Sequence, residues 1–548
     1  MLTNRPSLDN DSSHENKRMT ANKNTDQAKH LLAQCWSLVK GQHLSQAQTV
    51  CAQLTSDFAD FAAGWHVASV VALQQNQPAL ALQHIDQALH KEAANTVFTL
   101  HKIRVLLALG KREQAKTLAQ ELSHKSHNNP TILAELALLL NTLGLQKTSL
   151  KCYEQALLIQ ADNPELLFNL ASLQRYMGLL VEAETTLDRL IELLPDDSEA
   201  WLLRSGLRRQ LSTNNHIEGL TKALKHQQAS PISRAQLYYA LAKELEDVQR
   251  YEESFSALQQ GAAVRRGNMQ YSVDNDLATL QKITQVYDQE LFQQNIQGCD
   301  NQQAIFILGL PRTGSTLVER IIGNHSQVHS AGELNNFALE MMAQLRNSQT
   351  PPTDKLALIE LTKKLDFAKL GEDYILSTQP DTSEHPRFID KLPLNSLYVG
   401  LIHLALPKAK IIYVQRHPLD TCYAIFKQIF THGYPFSYDL NELAQYQIAH
   451  HKLMQHWQRV LPGVIHVVEY ERLVSDFATE SQKLLAYCDL PWQQQCAQFE
   501  HNSAAATTAS AAQVRQAVYS SSVGKWRHFS QQLAAVRQQF IQAGIECD

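Results

Sequence analysis

A short segment between residues 305 and 320 combines the residue types that bind an oxyanion. An apolar run, Ile305 to Leu308, leads into a turn that carries Gly309 and Gly314, and a helical pattern follows. Backbone N–H groups of such a turn converge with the unpaired N–H groups of the helix's first turn, where the helix dipole adds roughly half a positive charge. The segment therefore predicts a site for phosphate or sulfate.

The two glycines match the nucleotide-binding pattern G-x-x-x-x-G-K-[ST], but Ser315 occupies the position of its lysine. That lysine would reach the β- and γ-phosphates of a nucleotide, so its absence argues against ordinary triphosphate chemistry. The cation lies instead within the loop, at Arg312, whose planar guanidinium fits a tetrahedral oxyanion. Two alternatives stay open: a magnesium-dependent, kinase-like NTPase, and a strand–turn–helix that binds nothing.

Three further charged residues could act on an anion held by this loop. Arg416 follows an apolar strand and could hold a second anionic group of the same ligand. Glu333 could accept a proton from an acceptor hydroxyl, and Lys391, at the end of a short predicted strand, could offset charge on a leaving oxygen. The alternatives are a structural pair between Arg416 and Asp420, and ordinary surface charges at Glu333 and Lys391.

Alternating strands and helices must position these residues. Apolar strands are predicted at 304–308, 409–414 and 464–468, and helical patterns separate them. This alternation is typical of a parallel sheet with helices on both faces, which binds ligands at the carboxyl ends of its strands. The small, polar tract 501–512 is expected to form either a flap or a surface helix.

The sequence before the loop repeats itself every 34 residues. A column of small residues keeps this step: Ala47, Ala81, Ala115, Ser149 and Ala183. Two other columns keep it as well: Asn76, Gly110, Gly144 and Gly178, and then Thr96, Pro130, Pro164 and Ser198. The period is that of the tetratricopeptide repeat, in which small residues let two helices approach and a glycine occupies the turn between them. A generic helical bundle with coincidental spacing is the alternative.

The repeats are expected to form an α-solenoid over residues 27–265, and the segment 231–255 reads as a last, slightly off-register repeat. Such arrays stack into a superhelix whose concave face commonly holds an extended peptide. The remaining segments are predicted as a disordered tail (1–26), a helical linker (266–300) and the α/β domain (301–548). A peptide or protein partner that binds through the repeats is therefore expected.

Composition limits the other partners. The chain has 548 residues and a net charge of −5, with charges of both signs interspersed, which gives no sign of a nucleic-acid surface. No run of about 18 apolar residues occurs that would predict a membrane span. The eight cysteines lack paired or metal-ligand spacing, so we expect neither disulfides nor a metal site, and we expect a cytoplasmic location.

Four motifs taken together resemble one enzyme family. They are the loop Pro311-Arg-Thr-Gly-Ser-Thr316, the pair Gly332-Glu333, the segment Asp390-Lys391-x-Pro393-x-Asn395, and the segment Arg416-x-Pro418-x-Asp420. They resemble the sulfotransferases that use 3′-phosphoadenosine 5′-phosphosulfate (PAPS), and the whole chain resembles bacterial proteins that fuse tetratricopeptide repeats to such a domain. The resemblance implies a repeat solenoid followed by a P-loop-like α/β sulfotransferase domain with a parallel sheet.

The resemblance to the protein-tyrosine sulfotransferase branch implies roles for individual residues. Arg312 would hold the 5′-phosphosulfate, Arg416 the 3′-phosphate, Glu333 would be the catalytic base, and Lys391 would contact the bridging region of the phosphosulfate. The other residues that the resemblance assigns to cosubstrate binding are Pro311, Thr313, Gly314, Ser315, Thr316, Tyr470 and Lys525. PAPS would be the cosubstrate, and no metal is implied.

The chain departs from the family pattern at three positions. Ala424 stands where a second ligand of the 3′-phosphate, a serine, is common, and Gln428 replaces another arginine of the tyrosine branch. Gly524 stands where that branch has a serine before its Lys-Trp pair, and Ser522 lies two residues earlier. The departures leave two hypotheses: a sulfotransferase acting on a hydroxyl such as that of a peptide tyrosine, and a catalytically weak scaffold that binds peptide and an adenosine bisphosphate. The acceptor and the oligomeric state are not fixed by the sequence.

Overall fold

The computed structural model describes residues 12–125, 127–225, 230–346, 354–382, 385–431, 433–498 and 521–548. The chain forms two compact units, Met1–Gln174 and Arg175–Asp548. The division lies inside the predicted solenoid, and the boundaries expected at residues 26, 265 and 300 stay predictions. The tract 501–512 lies outside the described residues.

The first unit consists of helices in antiparallel pairs. They are α1 (Ser12–Lys40), α2 (Leu44–Asp57), α3 (Ala62–Gln74), α4 (Pro78–Lys91), α5 (Thr96–Ala108), α6 (Arg112–Ser123), α7 (Pro130–Thr142), α8 (Gln146–Ile159) and α9 (Pro164–Met177), which runs on into the second unit. Helix α1 begins within the stretch expected to be a disordered tail; residues 12–40 contain neither proline nor glycine, so nothing interrupts the helix. Residues 1–11 lie outside the described residues.

The three sequence columns have the structural roles that the repeat period predicts. The small-residue column is fully buried between paired helices, and Thr96, Pro130 and Pro164 are the first residues of their helices. Gly110, Gly144 and Gly178 have φ of 70°, 81° and 82° in the turns, a conformation that glycine adopts without strain. Hydroxyl groups add a recurring bond: Ser69 donates to the carbonyl of Ala81 and Ser149 to that of Ala137, both at 2.6 Å. The solenoid is thus confirmed.

The second unit continues with helices and then a sheet. Its helices before the sheet are α10 (Leu180–Leu193), α11 (Ser198–Ser205), α12 (Ile217–Lys225), α13 (Pro231–Asp247), α14 (Tyr251–Gly267), α15 (Val273–Val286) and α16 (Gln289–Gln293). The segment predicted as the last repeat forms the α13–α14 hairpin, in which Ser254 of α14 donates to the carbonyl of Ala242 at 2.7 Å.

Five parallel strands form the sheet, in the order β2-β3-β1-β4-β5. They are β1 (Ala304–Leu308), β2 (Val328–Ser330), β3 (Arg387–Lys391), β4 (Lys410–Gln415) and β5 (Ile465–Glu469). The helices around them are α17 (Ser315–Gly323), α18 (Asn336–Arg346), α19 (Lys355–Leu361), α20 (Phe367–Thr382), α21 (Val399–Ala405), α22 (Pro418–Phe426), α23 (Leu440–Val460), α24 (Tyr470–Ser475), α25 (Phe477–Tyr487) and α26 (Ala534–Gln542). The predicted α/β class is confirmed, and β2 is a strand that the sequence patterns did not indicate.

Apolar side chains of β1 alternate between two cores. Phe306 and Leu308 pack in a cluster that includes residues of α15 and α18 to α23, whereas Ile305 and Ile307 pack with residues of α17 and α25 on the other face. All five residues of the strand are buried. With both faces covered, the carboxyl edge is the part of the sheet where loops and polar side chains collect.

Candidate active site

The sheet brings the predicted site residues to one edge. The loop 309–314 leaves β1, Lys391 is the last residue of β3, Arg416 directly follows β4, and Tyr470 directly follows β5. Glu333 lies three residues after the end of β2. Because all five strands are parallel, their carboxyl ends share this edge, and the central strand carries the loop.

The loop after β1 depends on two glycines. Gly309 has φ +146°, and a Cβ there would lie 2.6 Å from the carbonyl oxygen of Val414 on β4. Gly314 has φ +102°, and a Cβ there would clash with the ring of Tyr470. Arg312 also has a positive φ, +69°, a strained conformation for a residue with a side chain. The loop therefore packs closely against the β4 and β5 side of the edge.

Helix α17 begins at Ser315, directly after Gly314, so its N-terminus faces the loop. Thr313, Ser315 and Thr316 are buried, and the hydroxyl of Thr313 donates to the carbonyl of Leu310 at 2.8 Å. Pro311 is buried as well, and Arg312 is partly exposed. The loop thus has the strand–turn–helix geometry that the sequence predicted for an anion cradle.

Lys391 lies between two carboxylates. Its side chain is 2% exposed; its Nζ forms an ion pair with Oε1 of Glu333 and lies 4.0 Å from Oε2 of Glu319. The Ser330 hydroxyl donates to Glu319 at 2.6 Å. The Glu333 side chain is 47% exposed, so the carboxylate is anchored by the lysine and open to solvent. The structure therefore unites two predicted residues and adds Glu319, which the sequence reading missed.

A third carboxyl group, that of Asp390, belongs to the residue before Lys391. It is fully buried and accepts hydrogen bonds from the Tyr374 hydroxyl at 2.9 Å and from the Asn395 amide at 3.2 Å. Burial raises the pKa of Asp390 to about 7, although its hydrogen bonds and Lys391 oppose the rise. Asp390 thus supports the β3 end through neutral donors.

Arg416 has a different environment. Its guanidinium donates to the carbonyl of Arg312 at 3.1 Å and to that of Ser522 at 2.6 Å, and it lies 4.9 Å from the centre of the Tyr470 ring. Within the part of the chain that the structure describes, its buried Nε has no hydrogen-bond partner. The Tyr470 hydroxyl shares a 2.7 Å hydrogen bond with Ser522. Arg416, Tyr470 and the loop are therefore in direct contact.

Asp420 does not form a structural pair with Arg416, so this alternative interpretation is wrong. Its carboxylate accepts hydrogen bonds from the backbone N–H of Gly524 at 2.6 Å and of Trp526 at 3.0 Å. These bonds fix the C-terminal segment that carries Ser522 and Lys525 against the start of α22. The indole of Trp526 stacks on His417 at 5.4 Å between ring centres, and burial lowers the pKa of His417.

Lys525 contacts a residue that the sequence did not indicate. Its Nζ lies 3.4 Å from Oε1 of Glu246 on α13, and Lys427 lies 2.8 Å from Oε2 of the same carboxylate. Lys427 is the residue before Gln428, whose amide donates to the backbone carbonyl of Ile429. No local motif marks Glu246 or Lys427, because each acquires its role only from a contact distant in sequence.

Two negative findings hold for the described residues. Among them, no group of three or more histidine, cysteine, aspartate and glutamate side chains is arranged to hold a metal ion. Nor does that part of the chain include a helix with the length and apolar character that crossing a membrane requires.

Residues 304–494 match the family model described as the sulfotransferase family. Residues 66–174 match the N-terminal tetratricopeptide region of Psidin, and residues 149–207 match a general tetratricopeptide model. These matches identify a sulfotransferase family domain joined to tetratricopeptide repeats, as the motifs and the 34-residue columns predicted.

Two curated relatives are similar in sequence. An uncharacterized protein of Aquifex aeolicus is 30% identical over 379 residues, which are 68% of this chain and 49% of that protein. A candidate protein-tyrosine sulfotransferase of Caenorhabditis briggsae is 26% identical over 200 residues, 35% of this chain and 68% of that protein. The chain thus spans about half the length of the first relative.

Solved structures resemble each part separately. The sulfotransferase domain from the curacin biosynthetic pathway is 18% identical, with a TM-score of 0.32, and covers 45% of this chain and 100% of its own. The tetratricopeptide protein YrrB, described as having an unusual peptide-binding site, is 17% identical, with a TM-score of 0.26, and covers 34% of this chain and 94% of its own.

Proposed function

Because the chain joins a sulfotransferase family domain to tetratricopeptide repeats, we propose that it moves a sulfuryl group from PAPS to a hydroxyl group, with peptide tyrosine as the acceptor class. One observation carries this proposal. Four strand ends bring a strand–turn–helix loop, a lysine–glutamate pair and an arginine to one edge of the sheet. The cytoplasmic location expected from the cysteine pattern is part of the proposal.

The residues present fit a ligand with two anionic ends. The loop offers backbone N–H groups, the α17 N-terminus and Arg312, while its two glycines let it pack against Val414 and Tyr470. Arg416 follows β4, the strand next to β1, and thus lies about one strand spacing from the loop. Its buried Nε has no hydrogen-bond partner in the described chain. Tyr470 and Lys525 lie on the same side. This distribution supports the 5′-phosphosulfate at the loop and the 3′-phosphate at Arg416.

The Glu333–Lys391 pair supplies the chemistry at the other side of the loop. Glu333 would accept the acceptor's hydroxyl proton as the oxygen bonds to sulfur. The bond from sulfur to the bridging oxygen breaks in the same step, and the electron pair stays on the leaving phosphate. Lys391 and Arg312 would stabilise that negative charge, an electrostatic role that a buried lysine performs well because water screens it little.

The direct test is transfer of labelled sulfate from PAPS to a panel of tyrosine-containing acidic peptides, with a simple sugar and a small alcohol as further acceptors. We expect label on peptide tyrosine, and we expect none with Glu333→Gln. Label on the sugar or the alcohol alone would support sulfuryl transfer from PAPS and overturn peptide tyrosine as the acceptor class. Absence of both transfer and PAPS binding would overturn the proposal.

A non-catalytic scaffold is the second candidate, and two contacts favour it. Gln428, at the position of an arginine in the tyrosine branch, donates to a backbone carbonyl, and the Gly524 N–H is used by Asp420. A scaffold would bind adenosine 3′,5′-bisphosphate and peptide without turnover. Calorimetry with the bisphosphate, combined with the transfer assay, separates the two candidates.

A further inference from the structure

The α13–α14 hairpin contributes a carboxylate to the edge of the candidate site. Glu246, near the end of α13, has a side chain that is 14% exposed. Both of its oxygens lie within 2.9 Å of Lys427 Nζ, and one accepts a hydrogen bond from the Tyr423 hydroxyl at 2.9 Å. Lys525 Nζ lies 3.4 Å from Oε1. One carboxylate thus joins two lysines and a tyrosine of the sulfotransferase domain.

Charge interactions and backbone contacts connect the two lysines with the loop and with the segment that contacts Arg416. Lys525 follows the segment whose Ser522 accepts from Arg416 and whose Gly524 donates to Asp420. Lys427 directly follows α22, the helix that begins two residues after Arg416. Burial lowers the pKa of Lys427, and the charge of Arg312 adds to this effect. The loop, both lysines and Glu246 therefore share one electrostatic environment.

The charged groups in this environment shift one another's pKa values. Arg312, Lys427 and Lys525 are cations, and Glu246 is the carboxylate that contacts both lysines. Burial alone would raise the pKa of Glu246, but Lys427 and Lys525 overcome this effect and hold the pKa at about 2. Burial also lowers the pKa of Lys427, and Glu246 opposes that loss, while Lys525 and Arg312 add to it.

We propose that Glu246 is a positioning residue for cosubstrate binding: it fixes the ammonium groups of Lys427 and Lys525, so that the repeat hairpin completes the site for the 3′-phosphate. Lys427 would then supply a positive charge next to Gln428, the position at which the tyrosine branch has an arginine. This inference rests on the proposed function. It predicts that the sulfotransferase domain needs the α13–α14 hairpin for cosubstrate affinity as well as for stability.

A matched ion pair joins the same hairpin to the same domain at another place. Arg266 of α14 binds Glu442 of α23 with two contacts of 2.7 Å, and it also donates hydrogen bonds to the carbonyls of Met269 and Tyr271. Glu442→Gln therefore removes a comparable link without touching a residue that we assign to the cosubstrate. Any general effect of loosening the hairpin should appear in this variant too.

The experiment is calorimetric titration of the full chain with adenosine 3′,5′-bisphosphate, for wild type, Glu246→Gln, Glu442→Gln, Lys525→Met and the double variant Glu246→Gln/Lys525→Met. We expect Glu246→Gln to weaken binding about tenfold, the cost of one displaced charge-assisted contact. Glu442→Gln should bind like wild type. The double variant should lose less than the sum of the two single losses, because both changes act on Lys525.

A pH series adds a result that a merely structural role would not give. Without Glu246, Lys427 faces Lys525, Arg312 and the hydroxyls of Tyr423 and, beyond it, Tyr251 of α14. Affinity of Glu246→Gln for the bisphosphate should therefore fall between pH 7 and 9 more steeply than that of wild type. Glu246→Asp should restore part of the affinity at pH 7.

The outcomes distinguish this inference from the proposed function. If wild type does not bind the bisphosphate, both are overturned. If wild type binds, and Glu246→Gln binds equally well or loses no more than Glu442→Gln, the inference alone is overturned. Equal pH profiles for wild type and Glu246→Gln would overturn it as well.

Discussion

The loop after β1 has two flanks, the β3 flank with Lys391 and the β4 flank with Arg416. The cations of the two flanks have different partners. On the β3 flank, Lys391 is buried between two carboxylates, Glu333 and Glu319. On the β4 flank, the described hydrogen-bond partners of Arg416 are backbone carbonyls, and its ring neighbour is Tyr470. The cation on the first flank therefore has carboxylate partners, and the cation on the second has carbonyl dipoles and an aromatic ring.

The difference shows how one sheet edge can provide separate places for proton transfer and for anion binding. A cation paired with a carboxylate offers a group that can take up a proton without creating an isolated buried charge. A cation held by dipoles keeps its charge for an anionic ligand, and its carbonyl partners fix its direction. We therefore expect changes on the β3 flank to alter turnover and changes on the β4 flank to alter affinity.

The largest effect should come from the β3 flank. Glu333→Gln keeps the shape of the side chain and removes the proton acceptor, so turnover should fall by about 10²- to 10⁴-fold. The measurement is label transfer from PAPS at saturating concentration. Affinity for adenosine 3′,5′-bisphosphate should stay within about twofold of wild type. Glu319→Gln, the matched change at the other carboxylate, should reduce turnover less; equal losses would contradict the assignment of Glu333 as the base.

Arg416→Met should produce the converse result. Loss of its charge-assisted contacts should weaken bisphosphate binding by about 10- to 100-fold, while turnover at saturation changes less. Calorimetry and the ratio of kcat to KM check this. Arg472 is the control, since it lies two residues after Tyr470 and pairs with Glu469 and Glu480. If Arg472→Met weakens binding as much, the contrast between the flanks fails.

Gly314→Ala should damage both flanks at once by displacing Tyr470 and straining the loop. We expect a loss of about 1–3 kcal/mol in the free energy of unfolding, measured by denaturant titration, together with weaker bisphosphate binding. Gly463→Ala is the control, because Gly463 has a similar positive φ of 79° and open space where its Cβ would lie. A loss no greater than that of the control would show that contact with Tyr470 does not limit the loop.

The smallest expected effect concerns Asp390, the residue before Lys391 on the β3 flank. Its folded pKa is about 7, above the ordinary 3.8, so the folded state holds a proton that the unfolded state releases. Its contribution to stability is therefore full below about pH 4 and is lost as the pH rises to about 7. Asp390→Asn should remove this slope in the melting temperature.

The comparison group for Asp390 is Glu246, whose folded pKa of about 2 lies below its ordinary 4.5. Its contribution is present above about pH 4.5 and is lost as the pH falls toward 2. Melting temperatures of Asp390→Asn and Glu246→Gln should therefore depart from wild type in different pH windows. Departures in the same window would contradict the assigned environments.

Sequence patterns predicted the parts of the fold whose signal is local. The 34-residue columns indicated the solenoid, and apolar runs located β1, β4 and β5. Strand β2 is three residues long, too short for alternation to mark it. Helix α1 extends to Ser12, into the stretch predicted as a tail, because the polar composition of that stretch was read as disorder, whereas residues 27–40 lie in the predicted solenoid.

Much of the candidate site could also be predicted, because strand ends of a parallel sheet meet. Arg416 and Lys391 were placed at strand ends, and Glu333 was placed near the loop by its position in the chain. The structure unites Glu333 and Lys391 in an ion pair. The link from Lys427 to Glu246 spans 181 positions, and no spacing rule connects two helices so far apart. The contact of Lys525 with Glu246 likewise joins residues that are distant in sequence. The assignment of Lys525 as a cosubstrate ligand stays a prediction.

The register of β1 also imposes an order on how the chain folds during synthesis. Ala304 pairs with Phe388, and Ile305 pairs with Lys410, so the central strand is made well before either neighbour exists. At a ribosomal rate of about 5–20 residues per second, this strand waits for several seconds. Each repeat hairpin, by contrast, closes within about 34 residues of chain and can fold as soon as it emerges. The solenoid is then complete while Ile305 and Ile307 are still without strand partners. Mutations that delay the pairing of β3 or β4 with β1 should therefore increase aggregation and leave the folded protein unaltered.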